Sequence, residues 1–229
     1  MKVPVIDHVR TEDIRKRARE IAKDKDARQK ALKLLRSRAN HEIRIGANIL
    51  LRDVGVTDKQ LEDAIRFLST HADWELREEA AMMFRTLIKR NFDHWFNVMK
   101  DFVNSDSVNL KRAAVVGAMT KLSKEQTKKI VEAIFQPNLP YNHVYMKKNL
   151  GPFAIGSHLL KNEPVLTFSY LNKWIKNKNE NVRWNVLMAF SQAQGKKYRE
   201  QALKYVRQVE QDPSKTVQRA VKAIKRRFS

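Results

Sequence analysis

An apolar residue followed directly by a basic one occurs at Ile43-Arg44, Leu76-Arg77, Leu110-Lys111, Met146-Lys147 and Val182-Arg183, with Val217-Gln218 as a weaker sixth copy. Cations at such a regular spacing offer one kind of chemistry, the neutralisation of phosphates. Acidic chemistry has one centre, the cluster Asp73, Glu75, Glu78 and Glu79. These carboxylates could stabilise a developing positive charge, or they could cap a helix and pair with Arg77 or a neighbouring repeat. Other chemistries find no support in the residues. Cysteine is absent, the six histidines show no H-E-x-x-H or comparable metal spacing, and no G-x-x-x-x-G-K-[ST] loop is present. No cofactor and no metal are expected.

The elements that position these residues follow from the spacing. The steps between the apolar members are 33, 34, 36, 36 and 35 residues, within the range of about 20 to 50 that marks repeat architectures. The copies open an apolar stripe at i, i+4, i+7 and i+8, as in Leu76, Ala80, Met83, Phe84 and in Met146, Leu150, Phe153, Ala154, and the last keeps only Val217, Val221 and Ile224. That stripe is one face of an α-helix. Second helices lie between the copies, for example in WFNVMKDFVN and VLTFSYLNKWI. Thr57 with Gln60 and Ser123 with Gln126 fit capping boxes, Asp73, Ser107 and Asn181 fit N-caps, and Gly195 fits a helix stop. The expected fold is all-α, a HEAT-like repeat α-solenoid of about six helix pairs in one domain over 1–229. Residues 1–40 form N-terminal helices, and repeats start near 43, 76, 110, 146, 182 and 217.

Charge sets the expected partner. Lys and Arg number 46 against 25 Asp and Glu, a net +21 that favours a polyanion. The basic residue of each copy lies about 100° around the helix from the apolar one and in the first turn, where free backbone N–H groups favour anions. Arg44, Arg77, Lys111, Lys147 and Arg183 would then form a row suited to phosphates, thickened by Arg112, Lys148, Lys215, Arg219, Lys222, Lys225, Arg226 and Arg227. Trp74 and Trp184 beside the motif could stack on an unpaired base, although packing between helices is the simpler expectation; Trp95 and Trp174 fall in the partner helices and read as structural. QPNLPYNHVY (136–145) brings Tyr141, Asn142, His143 and Tyr145 to the fourth repeat, as a loop that probes a distorted duplex or as a surface connector. The N-terminal stretch MKVPVIDHVRTEDIRKRARE has no apolar signal-peptide core and no run is long enough to span a bilayer. The expectation is a cytoplasmic, nucleoid-associated monomer without membrane contact, bound to duplex or branched DNA.

ADWELREEAAMMF, VNLKRAAVVGAM, NLGPFAIGSHLLKNEPVLTFSYLNKWI and NENVRWNVLMAF, over most of residues 72–190, resemble the HEAT-like repeat DNA alkylation repair family, the AlkC/AlkD superfamily. The resemblance implies a crescent-shaped solenoid with DNA in a basic concave groove. AlkD-type glycosylases carry a Trp-Asp-x-x-Asp segment before a short Ala-Pro stretch. Aligning LGPFAIG with that stretch puts Val144 at the tryptophan position and Lys148 at the catalytic aspartate position. Arg183 matches the phosphate-contacting arginine, and the second cleft tryptophan falls on Ala223. Loss of an alkylated base develops positive charge on the sugar, which a carboxylate stabilises and an ammonium opposes. The sequence therefore looks most like the non-glycosylase AlkF-like and AlkG-like branch, for which a preference for branched DNA is implied. An alkylpurine DNA glycosylase that releases 3-methyladenine or 7-methylguanine with a carboxylate placed elsewhere is the alternative, and a scaffold that holds an acidic peptide is a third.

Overall fold

The computed structural model describes residues 9–52 and 54–229, and all regular structure among them is helical. The first eight residues of the expected N-terminal helices lie outside the described residues. The chain divides into two compact units at Arg90/Asn91. The first contains α1 (Thr11–Ile21), α2 (Ala27–Leu34), α3 (Asn40–Leu50), α4 (Asp58–Thr70) and α5 (Trp74–Arg90). The second contains α6 (Phe92–Asn104), α7 (Val108–Gly117), α8 (Lys124–Ile130), α9 (Val144–Asn149), α10 (Leu160–Asn162), α11 (Pro164–Trp174), α12 (Glu180–Met188), α13 (Arg199–Gln208) and α14 (Lys215–Phe228). This is the HEAT-like α-solenoid type of fold, built from repeated helix pairs. None of the helices among the described residues is long and apolar enough to cross a membrane.

Within the first unit α1, α3 and α5 pack in succession, with α2 against α3 and α4 against α5. Within the second, α7, α9 with its continuation, α12 and α14 pack in succession, and α6, α11 and α13 pack against them. All six repeat-start residues, Ile43, Leu76, Leu110, Met146, Val182 and Val217, are buried, so the apolar half of the motif is the core register. The capping boxes at Thr57/Gln60 and Ser123/Gln126 both form.

A second register accompanies the first. Asp73, Ser107, His143, Asn179 and Ser214 each stand four residues before the +1 position of the motif, and each accepts a backbone N–H at its helix start through its side chain. Their carbonyls accept the N–H of Arg77, Lys111, Lys147, Arg183 and Gln218. The +1 residue is therefore the first to join the helical ladder, and its N–H is not one of the free groups expected to meet an anion. Asn179 rather than Asn181 caps α12; Asn181 is buried and donates its side-chain amide to Pro140 O at 3.1 Å.

Two features bend the pattern. The helix begun by α9 continues as a π-helix over Leu150–Leu159. Pro152 has no N–H to donate, and the N–H of Gly151 turns to the side-chain oxygen of Asn185 at 2.9 Å. A Cβ at Gly151 would stand 2.9 Å from the Asn185 carbonyl, so glycine allows this approach. The wider turns shift the stripe, which leaves Phe153 38% exposed while Ile155 and Leu159 are buried. Gly195 is not a left-handed helix stop: among the described glycines only Gly55 has a positive φ. A Cβ at Gly195 would lie 2.5 Å from the Phe190 carbonyl, and close contact with the end of the repeat explains the residue.

Candidate nucleic-acid interface

The basic members of the repeat are mostly engaged inside the protein. The Nη1 of Arg77 donates to the His71 and Ala72 carbonyls at 2.7 and 2.6 Å. Lys111 Nζ donates to Val103 O at 2.7 Å. Arg183 Nη1 donates to the Asn177 and Lys178 carbonyls at 2.7 and 2.8 Å. The neutral member, Gln218, does the same work through Nε2 on Glu210 O and Asp212 O, both at 2.9 Å. In each case the side chain reaches back to the carbonyl-rich end of the preceding helix or the turn that leaves it, where the helix dipole is negative. The repeated cation of the expected phosphate row is thus also a cap on its neighbour, and in the last copy an uncharged glutamine does the same.

Arg44 departs further. It is buried, with Nη1 3.3 Å from Glu75, Nε 3.4 Å from Glu79 and Nη2 donating to Thr11 Oγ1 at 2.9 Å. Glu79 also accepts from Asn48 at 2.7 Å, and Asp73 accepts from Asn40 at 2.7 Å. The acidic cluster is thus a structural network that holds one repeat of the first unit to the next. Within it Arg44 pairs with Glu75 and Glu79.

Arg183 carries a second load. Its Nε and Nη2 bind the two oxygens of Asp212 at 2.6 and 3.0 Å, a bidentate pair that is largely buried. Burial pushes the Asp212 carboxyl up, but the Arg183 guanidinium and the N–H of Ser214 outweigh it and hold the group below the ordinary carboxylate range. The arginine that the resemblance assigns to phosphate contact therefore meets an internal carboxylate.

Exposed chemistry gathers around α9. Tyr141, Asn142, Val144, Tyr145 and Lys148 are exposed, with Val144 at 67%. The His143 ring meets Tyr145 edge-on at 5.3 Å and lies 6.5 Å from Tyr141, so three aromatic rings run along the entrance to the helix. Lys111 Nζ stands 5.5 Å from the Tyr141 centroid, and Lys147 Nζ stands 5.1 Å from the ring of Trp184. Burial pushes the Lys147 ammonium down, while Glu180 opposes that shift. Val144 and Lys148, four residues apart, share the exposed side of α9.

α14 supplies a second charged surface in the same unit. Lys215, Arg219, Lys222 and Arg226 are exposed at i, i+4, i+7 and i+11, opposite the buried Val217, Ala220, Val221, Ile224 and Phe228. Ala223 is exposed beside them, and Arg227 is partly buried. Lys225 leaves the stripe and pairs with Glu210, whose carboxyl it holds down. Arg112 is half-buried on α7. Among the tryptophans, Trp95 and Trp174 are buried as expected, and Trp184 is half-buried beneath Lys147. Trp74 is 60% exposed, contrary to the packing expected of it.

Sequence reasoning missed Asp212, Glu180 and Asn185. Glu180 accepts from the hydroxyls of Ser214 and Thr216, which ties α12 to α14. Asn185, 1% exposed, spans Gly151 N–H, Leu139 O and Asn181 O. An amide on the core face of VRWNVLMAF was its signal. No cluster of three or more His, Cys, Asp or Glu among the described residues could hold a metal.

A sequence profile described as "DNA alkylation repair enzyme" matches residues 8–153. The crystal structure of AlkD2 from Streptococcus mutans superposes with a TM-score of 0.66 at 16% identity, over 81% of this chain and 90% of that one. A designed armadillo repeat protein in complex with the peptide (KR)4 gives a TM-score of 0.37 at 17% identity, over 95% of this chain and 100% of that one. No curated protein matches the sequence.

Proposed function

We propose, from the premise that this chain belongs to the DNA alkylation repair enzyme family, that it is a non-catalytic DNA-binding protein which recognises backbone shape at branched or distorted DNA. The observation that carries this reading is the exposed Lys148 beside the aromatic run Tyr141, His143 and Tyr145. A glycosylase of this family's AlkD type needs a carboxylate where the resemblance puts Lys148. An ammonium there raises the cost of positive charge on the sugar and attracts the phosphate backbone. Aromatic rings with flanking cations suit unpaired bases, which a junction or flap presents and a linear duplex does not. The exposed stripe on α14 adds phosphate contacts without sequence preference.

The AlkF-like and AlkG-like branch, a monomeric state and a cytoplasmic, nucleoid-associated location belong to the same proposal; the net charge of +21 calls for a standing polyanionic partner. The glycosylase alternative loses its best carboxylates, since Asp73, Glu75 and Glu79 are already hydrogen-bonded or ion-paired within the first unit.

The test is binding to linear duplex, flap and four-way junction DNA at one physiological salt concentration, with release of 3-methyladenine and 7-methylguanine followed in the same samples. The reading predicts tighter binding to branched forms with base release at the spontaneous rate. Enzymatic base release would overturn it.

A further inference from the structure

A second basic site lies in the first unit and is linked to Arg44 through Glu79. α1, α3 and α5 leave a cavity of about 300 Å³ lined by Arg15, Arg52, Arg90, Asn48 and Thr86, with Glu79 at its wall. Both carboxylate oxygens are engaged, by Asn48 and by the buried Arg44, and three arginines face this one carboxylate around the cavity. Arg90 spends one nitrogen on the Leu51 carbonyl. Arg15 and Arg52 make no hydrogen bond or ion pair through their side chains among the described residues. Burial, with the nearby guanidiniums of Arg19 and then Arg15, pushes the Arg52 guanidinium down.

Several guanidiniums around one concavity match a compact oxyanion bearing more than one charge. A phosphodiester within a strand carries one charge and continues on both sides, so it meets an open surface more readily than a pocket. A terminal phosphomonoester carries about 1.5 to 2 negative charges at neutral pH, offers three free oxygens and ends the chain. We propose that the Arg15–Arg52–Arg90 cavity binds a terminal phosphomonoester, and that its ligand is the phosphorylated end of a DNA strand. The DNA part rests on the function proposed above; the phosphomonoester part rests on the cavity alone.

The experiment uses the whole chain and the double variant Arg15→Ala/Arg52→Ala, which removes two exposed side chains and leaves the Arg90 contact to Leu51 intact. Binding is measured at fixed salt to one duplex prepared with hydroxyl ends, with a 5′-phosphate or with a 3′-phosphate. Thermal stability is measured alongside, with inorganic phosphate against chloride at equal ionic strength. The expected result is about a fivefold or larger preference for one phosphorylated end in the parent. The double variant loses that preference while its affinity for the hydroxyl-ended duplex changes by less than about threefold. Equal affinity of the parent for all three duplexes overturns the inference and leaves the proposed function standing. If no DNA binds, the proposed function and the DNA ligand both fail. The cavity is then retained as a phosphomonoester site only if inorganic phosphate raises the melting temperature of the parent and not of the variant; an equal effect on both overturns it.

Discussion

Arg44 in the first unit and Lys147 in the second occupy the same position of the repeat, one residue after a buried apolar start. Arg44 is buried against Glu75 and Glu79, whereas Lys147 stands over the face of Trp184, with Glu180 acting on its charge. One position thus serves as a buried ion-pair network in one unit and as a half-exposed cation in the other. What differs is the residue it faces on the next repeat: carboxylates at Glu75 and Glu79, an indole at Trp184. A cation with an internal anion holds repeats together; a cation without one remains available to a ligand. By the same criterion Arg183, bound to Asp212, belongs with Arg44, and the exposed stripe of α14 belongs with Lys148.

The comparison breaks most visibly if Arg44 proves dispensable. Arg44→Ala leaves the buried Glu79 without its cation and should lower unfolding free energy by about 3 to 5 kcal/mol, read from the urea midpoint. A loss no larger than that of a surface substitution would place the network outside the fold's stability.

Arg183 sharpens it. Arg183→Gln keeps an amide for the carbonyls, as Gln218 does in the last repeat, and forfeits the bidentate pair, so a loss of about 1.5 to 3 kcal/mol is expected. The pH dependence has a definite sign. Asp212 is held below the ordinary carboxylate range in the folded protein. The stability it contributes is present above the ordinary, unfolded-state value and is lost as pH falls through the depressed, folded-state value. The stability gap between the parent and Asp212→Asn should therefore close across that acidic window, as denaturant midpoints at a series of pH values would show; a gap constant with pH contradicts the assignment.

On the exposed side, Tyr141→Ala with Tyr145→Ala should weaken flap or junction binding by about 1 to 3 kcal/mol per stacked base while moving linear-duplex affinity little. Equal weakening on both forms would deny the aromatic run any role in shape recognition. The smallest effect is expected at Lys147→Met, which removes a cation–π contact worth about 0.5 to 1 kcal/mol, measured by thermal or chemical denaturation.

The repeat register was legible because burial decides it: an apolar stripe at helical spacing has to face the core, and Leu76, Ala80, Met83 and Phe84 all do. Phe153 escaped the same rule because Gly151 and Pro152 shift the helix to π geometry, a local effect that the stripe does not record. The partners of the +1 residues were hidden for a different reason. They are backbone carbonyls of the preceding helix and turn, which leave no trace in residue types, so the capping role of the position was not legible. The Gln218 copy was the available hint, since an uncharged amide can serve a carbonyl as well as a cation does. Exposure at Trp74 and the Arg183–Asp212 pair depend on contacts across repeats, and a single sequence does not specify them. The aromatic connection at 136–145 and the α14 charges were visible as composition, and the structure adds which of them are exposed.

The measurement that tests the account most directly is the salt dependence of four-way junction binding for two variants beside the parent, Arg183→Gln and Lys215→Ala/Arg219→Ala/Arg226→Ala. The account predicts that the α14 variant loses about two to three from the slope of log affinity against log salt, while Arg183→Gln keeps the parental slope and loses only stability. A parental slope in the α14 variant together with a reduced one in Arg183→Gln would contradict it and return the phosphate contacts to the repeated cation.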